Sequence, residues 1–202
     1  MEMKISSQGA GMSEALEQTE KLAAEGDLSE KEKLRVRLLA EELIGMMRGI
    51  AGDVEADYMV EREGKAFTLR LGADVAMNRE MREQLIAVSS NKENTATGKG
   101  LMGKILEMIA VAMLPGELGD RILSGLSLGF MSMESTGYQT TAETRYWTLT
   151  EYREAVDAVR TENEEAEEAW DELEKSIVAS IADEVCVSVR GNHAEIEIRK
   201  TF

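Results

Sequence analysis

The sequence predicts an α+β fold, in which a mixed or antiparallel sheet from two β-hairpins is covered by helices, and three observations point to it. Alternating apolar residues appear in two widely separated stretches, 54–72 and 183–199. A glycine-containing turn, Glu63-Gly64 in one and Gly191-Asn192 in the other, divides each stretch into two strands. Patterns of helical period occupy much of the chain before and between them. Two hairpins could build two sheets, but one layered sheet buries more apolar surface. The expectation is a single domain, 1–202, in which 113–182 is a helical insertion ahead of the closing hairpin.

Taken in order, residues 1–12 are unpatterned and read as a frayed start. A first helix follows from Ser13 to Glu25, stopped by Gly26 and Asp27. Ser29 and Glu32 have capping-box spacing, and Leu34, Leu38, Ile44 and Met47 then recur at helical intervals, which predicts a helix over 30–49. After the first hairpin come a short helix from Arg79 to Val88, a polar loop over 89–97, and a helix that begins near Gly100 and ends before Pro115. Glycines scattered through 115–147 suggest short turns and loops. Thr148 and Glu151 have a second capping-box spacing. Behind them Tyr152, Val156, Val159, Asn163, Ala166, Trp170, Leu173 and Ile177 keep a four-three rhythm that predicts one long helix over 150–182. Its dense acidic run, Glu162 to Glu168, reads as a solvated face or a hinge.

Composition narrows the function. With 202 residues and 43% apolar content a sizeable core is expected, and 4% aromatics against 13 methionines makes it an aliphatic and thioether core. A net charge of −16 argues against nucleic acid and anionic membrane surfaces as partners. The longest apolar stretch, Met108 to Leu114, falls far short of the roughly 20 residues that span a bilayer. The start MEMKISSQGAG lacks the layout of a secretory signal, and Cys186 is the sole cysteine, so the expected compartment is the cytoplasm. One cysteine and one histidine, His193, leave little for a zinc site. Alternation makes Cys186 a half-buried strand residue rather than half of a nucleophile pair.

Two places could carry chemistry. Thr95-Ala-Thr-Gly98-Lys99-Gly100-Leu101-Met-Gly103-Lys104 runs from a polar loop into a helix. Glycines there let main-chain N–H groups approach an anion, the first helical turn points unpaired N–H groups at it, and Lys99 or Lys104 adds charge, which suits a polyphosphate. The spacing is not that of a Walker A loop, and a plain flexible loop is the competing reading. The second place is the pair Glu41 and Glu42 among Leu38, Leu39, Leu43 and Ile44. One of two adjacent carboxylates, about 100° apart on the helix, can flank the buried stripe and serve as a general base or hold a metal-bound water; both being solvated surface is the alternative.

The order of these features resembles the histidine-kinase-like ATPase fold of the GHKL superfamily, above all its small anti-sigma-factor serine kinases, over 30–112 and 183–200. Arg37-Leu-Leu-Ala-Glu-Glu42-Leu-Ile-Gly-Met46 is similar to the family's E-x-x-x-N helix motif, with Glu42 in the place of the catalytic base and Met46 where the family has its magnesium-holding asparagine. Asp74 stands where the family's aspartate reads adenine, but the glycines of that D-x-G-x-G motif are absent. Gly98-Lys99-Gly100-Leu101-Met-Gly103 resembles the G-x-G-L-G phosphate box. The resemblance implies a two-layer sandwich that binds ATP and regulates a partner protein, with phosphotransfer to a serine of that partner as its enzymatic form. Because thioether sulfur is a poor ligand for a hard cation, Met46 counts against Mg2+ and against turnover. The alternative is a non-catalytic interaction module with a degenerate pocket, whose helix over 150–182 binds a partner or a second copy of itself. That helix's apolar seam fits a coiled-coil homodimer or packing against the chain's own sheet.

Overall fold

The computed structural model describes residues 2–49, 53–75, 100–113, 139–141 and 144–202. The chain is α+β. One open antiparallel sheet of seven strands runs in the order β1-β2-β3-β7-β6-β5-β4, with helices packed on one face. The strands are β1 (Glu2–Ser6), β2 (Glu55–Glu63), β3 (Ala66–Asp74), β4 (Gln139–Thr141), β5 (Thr144–Thr148), β6 (Glu184–Arg190) and β7 (His193–Thr201). The helices are α1 (Met12–Ala24), α2 (Glu30–Gly45), α3 (Leu101–Ala112), α4 (Leu149–Val159), α5 (Glu164–Lys175) and α6 (Ile177–Ile181), and α2 runs on into a 3-10 turn, Met46–Gly49.

Both predicted hairpins form, and each closes through a two-residue turn, between Glu63 and Ala66 and between Arg190 and His193. Gly64 and Gly191 take φ of 61° and 62°, the left-handed region that matches a tight turn to the twist of its strands. β3 and β7 then pair antiparallel, Leu69 against Ile198 and Leu71 against Ile196, so the hairpins join into one sheet. Phe67, Leu69, Leu71, Ala194, Ile196 and Ile198 lie under the helices, and the alternate residues form the other face.

Three elements depart from the sequence reading. Residues 2–6 are not frayed: they pair with β2 from Glu2↔Met59 to Ser6↔Glu55, and Ile5 is buried. Part of the segment expected to be loops supplies β4 and β5, and β5 pairs with β6 from Arg145↔Val189 to Thr148↔Cys186. The long helix is three helices. Asn163 Oδ1 accepts from Ala166 N at 3.3 Å, and Ser176 Oγ accepts from Ala179 N at 3.2 Å, so Asn163 within the periodic stripe and Ser176 beside it act as N-caps that start new helices. The helix expected at 79–88 and the loop at 89–97 lie outside the described residues.

Local chemistry accounts for the helices that did form as expected. At the start of α2, Glu32 N donates to Ser29 Oγ at 3.4 Å and Ser29 N donates to Glu32 Oε2 at 2.6 Å. Thr148 Oγ1 caps α4 by accepting from Glu151 N at 3.3 Å. Arg145 of β5 donates to Ala112 O at 2.8 Å, which satisfies a carbonyl at the C-terminal end of α3.

α1 is fixed to the sheet by a fully buried polar pair. Thr19 Oγ1 lies 2.8 Å from Ala15 O and 2.8 Å from Tyr58 Oη. Since the threonine proton goes to the carbonyl, Tyr58 donates to Thr19. Burial, partly offset by that bond, pushes the Tyr58 hydroxyl up to about 12. Thr19→Val strands the tyrosine hydroxyl, and urea unfolding should show a loss of about 1–3 kcal/mol. Adding Tyr58→Phe removes the stranded group, so the double variant should recover much of that loss. A double variant no more stable than Thr19→Val would show that the bond does not hold α1.

Candidate functional site

Glu42 lies on α2, two residues beyond the buried Ala40 and beside the buried Leu43 and Ile44, and is itself half-buried. Among the described residues its carboxylate has no ion-pair partner. Its neighbour Glu41 is engaged, with Arg37 Nε at 2.8 Å. Of the adjacent pair, Glu42 is therefore the carboxylate left available. Met46, where α2 passes into the 3-10 turn, is 4% exposed and belongs to the core.

α3 packs against that 3-10 turn and against β6, so α2 and α3 occupy the same face of the sheet. Gly100 precedes α3 with φ of 92°, a conformation that a side chain would strain, and a Cβ there would meet nothing within 4 Å among the described residues. Lys104 N donates to Gly100 O at 3.2 Å, which closes the first turn and leaves the N–H groups of Leu101 to Gly103 without helical acceptors. Leu101 is buried and anchors this end, whereas Gly103 is half-buried. Lys104 Nζ lies 2.8 Å from Glu172 Oε2 on α5. Gly98 and Lys99 lie outside the described residues.

Asp74 is placed elsewhere. It follows Ala73 at the end of β3, and alternation turns it to the helix-free face. There Asp74 Oδ1 lies 2.9 Å from His193 Nδ1 across the β3–β7 register, and the imidazole stands over Gly72. The expected grouping of Asp74 with Glu42 is thus not formed, because adjacent strand residues point to opposite faces. His193 had no separate signal in the sequence; only the register pairs it with Asp74. Cys186 and His193 do not meet either: Cys186 lies opposite Glu197 and hydrogen-bonds Tyr146, and burial pushes its thiol up. Trp147 is 1% exposed on β5 and packs against Tyr152 with ring centroids 5.6 Å apart.

The helix-free face carries one further charged cluster. Glu197 is buried between the guanidinium groups of Arg70 and Arg199, which both donate to its carboxylate. Burial raises the Glu197 carboxyl, but the two arginines outweigh it and hold the group below its ordinary value. Among the described residues no group of three or more His, Cys, Asp or Glu is arranged to hold a metal ion. Nor is any helix among them long and apolar enough to cross a membrane.

No family model matches the chain, and no curated protein or solved structure matches it.

The Glu197 cluster sets a pH dependence. A carboxyl held low in the folded state stabilises the fold above its unfolded value, 4.5, and that contribution is lost as pH falls through the folded value. Arg70→Met should cost about 1 kcal/mol at neutral pH, a low figure because Arg70 is partly open to solvent. The cost should shrink toward zero at an acid pH below the lowered folded value, where Glu197 takes a proton. Urea unfolding at the two pH values checks this, and an equal deficit at both would assign the loss to packing.

Proposed function

We propose that the chain is a nucleotide-binding regulatory protein of the histidine-kinase-like ATPase type, with ATP bound between α2 and the N-terminal turn of α3. The observation that carries this reading is the meeting of α3 with the end of α2 on one face of the sheet. It puts α3, whose first turn has N–H groups without helical acceptors, on the same face of the sheet as a helix whose Glu42 has no ion-pair partner among the described residues. Element order supports it as well: a helix with Glu42, a hairpin, a glycine-opened helix and a closing hairpin follow the sequence of the resembled family.

In this reading Gly100, Leu101 and Gly103 present main-chain N–H groups to the phosphates, Lys104 supplies the positive charge, and Gly98 and Lys99 extend the same box. Glu42 is the base in the enzymatic form, which would transfer a phosphoryl group to a serine of a partner protein. Met46 offers no oxygen to magnesium, so binding without turnover is the preferred form. Asp74, engaged with His193 on the far face, is left out of the pocket.

A second reading, the interaction module, draws support from α5, whose outward residues Glu164, Glu167, Glu168, Asp171 and Glu174 are exposed. The seam residues Tyr152, Val156, Ala166 and Leu173 are buried in the chain's own core, and the helix that would carry them is interrupted.

Thermal and chemical unfolding with ATP decides between them. Nucleotide at a hundred times its Kd should add about 2.7 kcal/mol of stability, and Lys104→Met should abolish most of the gain. Glu42→Gln should keep the gain and lose any hydrolysis. No change at millimolar ATP would favour the interaction module, and light scattering would then report whether the chain self-associates.

A further inference from the structure

We propose that α5 is a latch over the phosphate-binding turn of α3, closed by the Lys104–Glu172 ion pair and opened when a bound triphosphate takes Lys104. The inference rests on the reading of α3 just given and names the regulation of that site.

Lys104 sits in the first turn of α3, where a bound phosphate would meet it, and its side chain is 22% exposed. Glu172 Oε2 approaches it to 2.8 Å and is itself shielded from solvent, without the alignment of a hydrogen bond. The contact is therefore Coulombic, and a triphosphate at the same ammonium competes with it directly. Both anions on one lysine repel each other, the more so in a chain of net charge −16. By linkage, whatever weakens the latch strengthens the ligand, and the ligand weakens the latch in equal measure.

α5 is also a discrete segment, seated on the core by the buried Ala166, Ala169 and Leu173. Non-helical joints bound it at both ends: 160–163, closed by the Asn163 cap, and Ser176, which caps α6. The Tyr152 hydroxyl, buried on α4 without a hydrogen-bond partner among the described residues, adds no bond among them to the closed state. Its burial beside Glu172 holds it neutral. Opening would swing the exposed acids Glu167, Glu168, Asp171 and Glu174 away from α3, so nucleotide occupancy would change the face offered to a basic partner segment.

The test is calorimetric titration of ATP into the full chain as wild type, Glu172→Gln, Glu168→Gln and Lys104→Met, with hydrogen exchange of 164–175 read in wild type with and without ATP. Glu172→Gln should bind about fivefold tighter than wild type or better. Glu168→Gln, which removes the same charge from the same helix without touching Lys104, should match wild type, and Lys104→Met should bind more weakly than either. ATP should speed exchange across 164–175. Equal affinities of wild type and Glu172→Gln, equal tightening by Glu168→Gln, or unchanged exchange with ATP bound would each overturn the latch while leaving nucleotide binding intact. Absence of ATP binding to wild type and Glu172→Gln alike would overturn the nucleotide reading and the latch with it. The exchange measurement needs no variant, so a folding failure in Glu172→Gln leaves the proposal open to refutation.

Discussion

The ladder between β3 and β7 is the interaction on which the rest of the structure depends. Each hairpin is local, and a two-strand hairpin is marginal in water by itself. Pairing Leu69 with Ile198 and Leu71 with Ile196 gives the sheet a continuous apolar face wide enough for a layer of helices. The same register sets the other face, where Arg70 lies opposite Glu197 and Asp74 opposite His193. Because its partners are far apart in the chain, the ladder closes a long loop. Its entropic cost grows slowly with loop length, but the search it imposes slows folding.

The two faces of the sheet solve different problems. Under the helices, branched aliphatic strand residues meet Leu39, Leu43, Met47, Ile105 and Val178, and the scarcity of aromatic rings leaves Tyr58, Phe67 and Trp147 as the largest buried side chains. On the open face the chain disposes of part of its negative charge. Lys4 and Asp57 pair across β1 and β2 at 2.6 Å, and Glu197 takes two arginines. The buried carboxylate at Glu197 is tolerated because both of its oxygens are engaged.

Much of this was legible in the sequence, and the reasons for the rest are physical. Alternation and glycine turns located both hairpins, since a half-buried strand has a period of two that few other patterns mimic. β1 escaped because it is an edge strand of five residues with Ile5 alone buried, too short for a period to show. β5 escaped because it too has only five residues, with Trp147 as its fully buried one, and so shows no period. The break-up of 150–182 was hidden by a stripe that keeps helical spacing through Asn163; a cap is a matter of one side chain's hydrogen bond, which spacing does not reveal. Glu42 and Leu101 fell on the helices that the patterns predict, whereas the face on which Asp74 meets His193 follows from the β3–β7 register, which no single stretch of sequence carries.

The end of α2 shows how the candidate site and the core constrain each other. Met46 and Met47, both buried, make this turn an apolar seat for α3, whose Leu101, Ile105 and Met108 are buried too. A seat of that kind positions the glycine-opened turn but contributes no oxygen ligand, so charge brought by a phosphate has to be met by main-chain N–H groups and by Lys104. In an acidic chain such a lysine does not stand idle, and Glu172 holds it. A phosphate bound at this turn would therefore compete with Glu172 for one ammonium, and Glu172 belongs to a helix whose Glu167, Glu168, Asp171 and Glu174 are exposed.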